Sequence, residues 1–531
     1  FIPGKTNQDI VPLFDQYGEA ENSVRVGTAH TFNMFWTVFG GYQLNLNRTN
    51  TLNFQLGYQG MNTSTEYDAA FGRNTNNDFY QTLGDVQSLG RYFSGFNSEW
   101  NWMNLYAHVD YRYADLLKLG VTASWDGASS IGKEASRMTF YPAFEAVLMT
   151  KQFSWMRESD FINRLDIYGN YSITGNSRFS GKLGKYYYTS TPYQTIAGII
   201  RANVPNTSLK AEKDHTLNVG IDASVWNNRV QLGAGYYNVD AKDVLMTGVR
   251  SSVLGTSAYF NNDGQIQARG FEGRLQVMPI NTRDWRWMIG GNITTLKNEV
   301  KTLGALDQMM NTLTDNAQII TRVGENPFAF YGYETAGVFS TTAEAEAAGL
   351  VNRSGVPFQA GDVHYIDQNG DGIINDADKK VLGSATPDFY GSFFTRLEYR
   401  NWALDVTFAY SHGNKAYNAV RRITESGTDF SNQSTAMLRR WSMEGQVTDI
   451  PRASYGDKVG NNDFSDRWVE DASYIKLRDI TLSYNWNKPL FNFLQGGTIY
   501  VTGENLLCAT KYLGVDPEFS YNASTMMQGV D

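Results

Sequence analysis

The chain has 531 residues, 42% hydrophobic and 19% charged, with a formal net charge of −9. This excludes a nucleic-acid binder, whose phosphate affinity needs clustered Lys and Arg, and the lack of any apolar run of ~18 residues excludes a helical membrane protein. The 32 Tyr, 30 Phe, 12 Trp and 50 Gly against 12 Pro suit bent strands with aromatic girdles, and the single Cys508 permits no internal disulfide. As a free cysteine it is expected to be a small buried hydrophobe.

The opening residues, Phe1 to Ile10, show neither an initiating Met nor the basic, apolar and small-residue blocks of a secretory signal. They are expected to lie inside a longer precursor. Alternation with a period of two begins at Leu52, Phe54, Leu56 and Tyr58. It is strongest at residues 104–126, where Leu105, Ala107, Val109, Tyr111 and Tyr113 oppose Asn104, His108, Asp110 and Arg112. After a turn at Ala114 to Leu117, Leu119, Val121, Ala123 and Trp125 oppose Lys118, Thr122, Ser124 and Asp126. A membrane-crossing strand needs only ~9 to 11 residues and one lipid-facing side, so alternation rather than an apolar block is its signal.

Further runs are Leu165–Ile173, Leu217–Val225, Val230–Tyr236, Trp285–Thr295, Phe389–Tyr399, Trp402–Tyr410, Ile480–Trp486 and Ile499–Thr502. In all, about fourteen strands are legible. Asn227-Asn228 and Arg400-Asn401 mark tight turns, because Asn tolerates positive φ. Long polar connections are expected at Phe71–Asn97, Ser177–Lys213, Leu303–Pro387 and His412–Asp471, and short turns on one rim with long loops on the other is the asymmetry of outer-membrane barrels. The one helical candidate is Thr341 to Leu350. Charges such as Asp110, Arg112, Arg164, Asp166 and Asp222 belong on a wet inner face, since a packed soluble core could not bury them.

One motif carries chemistry. Asp367, Asn369, Asp371, Ile373, Asn375 and Asp378 occupy the ligand positions of a D-x-[DN]-x-[DN]-G calcium loop, with Gly372 at the sharp turn and Asp in place of the usual twelfth-position Glu. A structural Ca²⁺ that stiffens a long loop is therefore expected; the same dipeptides also build a metal-free turn. His108, His215, His364 and His412 have no partner at metal-site spacing, and the glycines at 233, 235, 290 and 291 fall inside strands rather than before a helix, so no enzyme is expected. Tyr186, Tyr187 and Tyr188 suit either a sugar platform or an interfacial girdle.

Several segments resemble SusC/RagA-type TonB-dependent transporters: Gly361 to Phe393, Tyr113 to Gly132, Phe140 to Ala146, Tyr168 to Asn176, Val204 to Asp222, Gly264 to Leu275, Val323 to Phe339, Leu438 to Ala453, Asp471 to Asn485 and Gly503 to Glu518. The resemblance implies an all-β, antiparallel transmembrane barrel of roughly 22 strands around a plug. It also implies the bacterial outer membrane, a SusD-like surface lipoprotein as lid, TonB acting through the plug, a dimer of transporter–lipoprotein pairs, and uptake of oligosaccharides or peptides. Plug, TonB-contacting segment and opening strands have no counterpart here, so residues 1–531 are expected to form part of one barrel domain, with 303–387 as a long loop region. The competing reading is a secreted all-β adhesin or carbohydrate-binding protein with a calcium-stiffened loop.

Overall fold

The computed structural model describes residues 23–73, 82–83, 91–193, 196–249, 258–313, 316–486, 489 and 495–519. Fourteen antiparallel strands lie side by side in chain order. They are β1 (Ser23–Asn45), β2 (Asn50–Arg73), β3 (Arg91–Tyr113), β4 (Leu117–Ala128), β5 (Met138–Met149), β6 (Ile162–Asn176) and β7 (Glu212–Val225), followed by β8 (Val230–Val249), β9 (Ala258–Asn281), β10 (Trp285–Thr295), β11 (Phe389–Tyr399), β12 (Trp402–His412), β13 (Tyr474–Trp486) and β14 (Gly497–Thr510). A further strand, Lys297–Leu303, pairs with β9 alongside β10. No helix among the described residues is long and apolar enough to cross a membrane.

Neighbouring strands share a lipid-like sidedness. Register sets Leu105 opposite Trp125, Val121 opposite Phe144, Ile167 opposite Ile221 and Phe393 opposite Phe408, giving one continuous apolar face. That face is not covered: Leu105 is 44% exposed and Val121 45%. An exposed patch of this extent needs an apolar solvent. β10, β11 and β12 have 11 residues each, about what a tilted strand needs to span the hydrocarbon.

The two rims differ as expected. At one, β3–β4, β7–β8, β9–β10 and β11–β12 close through 114–116, 226–229, 282–284 and 400–401. Ala114, Asp115, Trp226, Asn227, Asn228 and Arg400 all have positive φ there, the twist that matches antiparallel strands. Aromatic side chains crowd this rim: Trp285 lies 4.4 Å from Tyr399 and Trp402 lies 4.8 Å from Tyr484, centroid to centroid. The opposite rim carries 177–211, 296–388 and 413–473. Leu296 N–H donates to the Asp388 carbonyl at 3.1 Å, so the chain leaves β10 and returns to β11 through adjacent residues.

Two expectations need correction. Phe71–Asn97 is not wholly a loop: β2 runs to Arg73 and β3 starts at Arg91, paired from Gly72 opposite Arg91 inward. Residues 74–81 and 84–90 of that stretch lie outside the described residues. Its strand ends pair aromatic side chains, Tyr67 with Phe96 and Phe71 with Tyr92, but Tyr92, Phe93, Ser94, Gly95 and Phe96 do not sustain a period of two, so the alternation that marks the other strands fades there. Cys508 is exposed rather than buried. It sits on β14, which among the described residues pairs only with β13.

Candidate functional site: a charged wall beneath a folded loop cap

The second face of the sheet is polar and internally paired. Asp166 stands directly opposite Asp222, a like-charge pair that alone would destabilise the sheet. Arg164 lies 2.5 Å from Asp166 and Arg274 2.6 Å from Asp222, so each carboxylate has its own cation. Lys118 bridges to Glu145 (3.2 Å), His108 to Asp110 (3.1 Å) and Arg396 to both Glu398 and Asp405 (2.7 and 3.0 Å). Partly exposed pairs such as these add little stability, about 0–1 kcal/mol each. Their effect is to hold a fixed lattice of charge on a wetted surface. Glycines make room for it: a side chain on Gly220 would meet the Tyr168 hydroxyl at 2.5 Å. Arg112 stays at the short-turn rim, 3.9 Å from Asp115.

Above the wall, the loops are folded. Residues 303–387 contain a four-stranded sheet, Gln308–Thr312, Gln318–Arg322, Ala329–Tyr333 and Lys379–Gly383. They also hold the expected helix at Thr342–Ala348, where the Thr341 side chain accepts from Glu344 N and Gly349 closes the end with φ 63°. This region packs on 413–473 through two apolar clusters. One joins Ile319 and Phe330 to Tyr417, Phe464 and Trp468; the other joins Phe339, Val363 and Tyr365 to Val459.

A polar clasp locks the two regions together. Asp362, wholly buried, accepts from Arg452 Nε (2.7 Å) and Nη2 (3.0 Å), from Asn461 Nδ2 (2.8 Å) and from Gln359 N (2.9 Å). Asn461 Oδ1 then accepts from Val363 N at 2.8 Å, and the Tyr365 hydroxyl donates to the Gly460 carbonyl at 2.6 Å. Nearby, Arg421 pairs with Glu425 (3.0 Å) and Glu470 (2.9 Å). Burial pushes the Asp463 carboxyl up, with the Asp457 charge adding to it. None of these residues was singled out from sequence; the clasp joins Asp362, Val363 and Tyr365 to partners 90 to 99 positions away, beyond any local pattern.

The calcium-type loop belongs to this cap, with Ile374 in its second apolar cluster. Asp367 accepts from Gly370 N and Gly372 N, each at 2.7 Å, and the Gly372 bond above all holds its carboxyl below the usual range. Asn369 Oδ1 accepts from Asp371 N (2.9 Å), Asp371 Oδ1 from Ile373 N (2.8 Å) and Asn375 Oδ1 from Ala377 N (2.9 Å). Gly372 takes φ 78°. Asp378 is buried and gives its two oxygens to Gln368 N (3.0 Å) and Asn375 N (2.8 Å). The loop is therefore closed by its own backbone N–H groups. Among the described residues no three His, Cys, Asp or Glu side chains are grouped as a metal cluster. Asp367, Asn369 Oδ1, Asp371 and the Ile373 carbonyl, which already accepts from Asn375 Nδ2, each keep a lone pair beyond the hydrogen bonds they accept.

The histidines are dispersed. His108 pairs with Asp110, His215 meets the Tyr171 hydroxyl at 2.8 Å, and His364 and His412 stack on Phe339 and Phe389 at 4.2 and 4.9 Å. Tyr186, Tyr187 and Tyr188 belong to the long-loop rim, with Arg201 over Tyr186 and Lys182 over Tyr187.

Comparison with known proteins accords with this geometry. No protein-family model matches the chain. It is 29% identical over 440 residues to TonB-dependent receptor P3 of Formosa agariphila, covering 81% of this chain and 43% of that protein. It is 23% identical over 451 residues to TonB-dependent receptor SusC of Bacteroides thetaiotaomicron, covering 78% and 41%. The structure of the RagAB peptide transporter superposes with a TM-score of 0.79 at 20% identity, over 96% of this chain and 55% of that one. The chain spans about half the length of the curated relatives it matches.

Proposed function

From its standing as a SusC/RagA-type, outer-membrane β-barrel relative of TonB-dependent receptors, we propose that the chain supplies the barrel wall and loop cap of an energised importer of oligosaccharides or peptides. The observation that carries this is the pairing of opposites on one sheet: an uncovered apolar face and a fixed lattice of ion pairs behind it. The apolar side meets lipid; the charged side lines a water-filled lumen and presents fixed partners to a plug. The folded cap, held by the Asp362 clasp, meets ligand and a SusD-like lipoprotein lid from outside, in a dimer of such pairs. TonB, pulling on the plug, opens the path. In this scheme Ca²⁺ at Asp367, Asn369, Asp371 and Ile373 has a structural role, stiffening the rim of the cap.

The test is migration of the full-length protein from detergent-extracted outer membranes. A compact band that shifts on boiling, together with loss of uptake on deleting the gene, supports the proposal. Purification as a soluble monomer without detergent sinks it and returns the secreted adhesin reading.

A further inference from the structure

We infer that a cavity on the long-loop rim, lined by none of the calcium-type loop's residues, is a binding site for a neutral sugar residue. It has a volume of about 500 Å³ and lies between the Asn206–Lys210 segment, the end of β8 at Met246 and Gly248, the start of β9 at Tyr259–Asp263, and the turn Leu303–Leu306. That size falls within the range of small-molecule sites, ~300–1,000 Å³.

The walls are built by two asparagines whose amide nitrogen and oxygen are both bonded to backbone. Asn206 donates to the Phe260 carbonyl (3.0 Å) and accepts from Ser208 N (3.0 Å). Asn262 accepts from Lys210 N (2.8 Å) and donates to the carbonyls of Lys210 (3.1 Å) and Asp243 (2.8 Å). Gly304, at φ 66°, lets the turn approach Asp263, where any side chain would meet the Asp263 Cβ at 2.7 Å. The cavity is thus held open before a ligand arrives, which reduces the ordering cost of binding.

What it presents fits a polyol. Asp263 accepts from Asn261 Nδ2 at 2.6 Å and forms no ion pair among the described residues; Asn261 Oδ1 is a hydrogen bond the fold leaves unmade. Lys210 adds one cation, and Met246, Leu303 and Leu306 an apolar floor. Adjacent sugar hydroxyls each donate and accept, so they can serve a carboxylate and an ammonium together, while the ring's C–H face lies on the apolar floor. The assignment rests on the importer reading above, and names where that importer reads a sugar.

The test uses full-length protein in detergent, calorimetry against α- and β-linked neutral oligosaccharides of different lengths, and a matched series of short peptides. Asp263→Ala removes the acceptor; Ala305→Trp fills the space from an exposed position. Both are expected to weaken saccharide binding at least tenfold, as loss of a charge-assisted hydrogen bond does, while heat-modifiable migration stays unchanged. Unaltered affinity in both variants, binding of no saccharide, or peptide binding that the variants abolish would each overturn the proposal. Failure of the importer reading shows separately, as loss of the heat-modifiable band in the parent protein.

Discussion

The Asp362 clasp gives the most exacting prediction. Arg452→Met keeps the aliphatic stem but leaves the buried carboxylate without two of its four hydrogen bonds. Removing one partner of a buried pair costs about 3–5 kcal/mol. Arg452 is 32% exposed, so solvent screens part of the pair and about 2–3 kcal/mol is the better expectation. At 1.4 kcal/mol per tenfold change, that equals roughly a 30- to 150-fold loss of protection against local opening. Amide hydrogen exchange on the full-length protein in detergent reads it directly. Peptides from 335–378 and 441–468 should exchange faster, with β4 to β10 unchanged. Adding Asp362→Asn to Arg452→Met removes the stranded charge and should restore part of the protection. A change below threefold, or faster exchange spreading into the wall, would refute the view that this clasp holds the cap independently of the barrel.

Three further outcomes are expected. If the loop at 367–378 holds Ca²⁺, Asp367→Ala with Asp371→Ala removes one equivalent of calcium by elemental analysis; equal metal content in mutant and parent defeats that assignment. Asn228→Val forces a β-branched residue into φ 60°, costing about 1–2 kcal/mol, so the heat-modifiable form should melt at lower urea than in Asn228→Gly; identical midpoints would count against the turn argument. Asp463, whose carboxyl is raised by burial, binds its proton more tightly in the folded cap than unfolded. Its contribution is therefore full below the ordinary Asp value and is lost as pH rises through the raised one. Protection of 457–468 should fall over that window, and Asp463→Asn should flatten the decline; a rise with pH would reverse the sign assigned here.

What could be read in advance followed from chemistry local in sequence. Trp285–Thr295 and Phe389–Tyr399 were legible to the residue because lipid on one side and water on the other imprint a period of two, and Asn227-Asn228 because positive φ selects its residues. The outer ends of β2 and β3 carry no sustained period of two, and so Phe71 to Asn97 read as loop. The spacing of Asp367, Asn369 and Asp371 was visible, yet the same spacing serves side chains that cap their own backbone. Asp362, Arg452 and Asn461 were invisible, because a contact between residues 362 and 452 leaves no periodic trace.

The Leu296–Asp388 hydrogen bond has a consequence for how such walls diversify. Since the chain departs and returns through neighbouring strands, the wall keeps a hairpin register between Thr295 and Phe389, with Lys297–Leu303 of the insertion paired to β9 as its one added strand among the described residues. Loop-closure entropy rises only by about 0.6 kcal/mol for each doubling of length. The cap's core is shared between this insertion and 413–473, so the two insertions together form the exchangeable cassette. An unrelated module spliced at both hairpins would inherit the same strand register, the same membrane placement and a new outward chemistry.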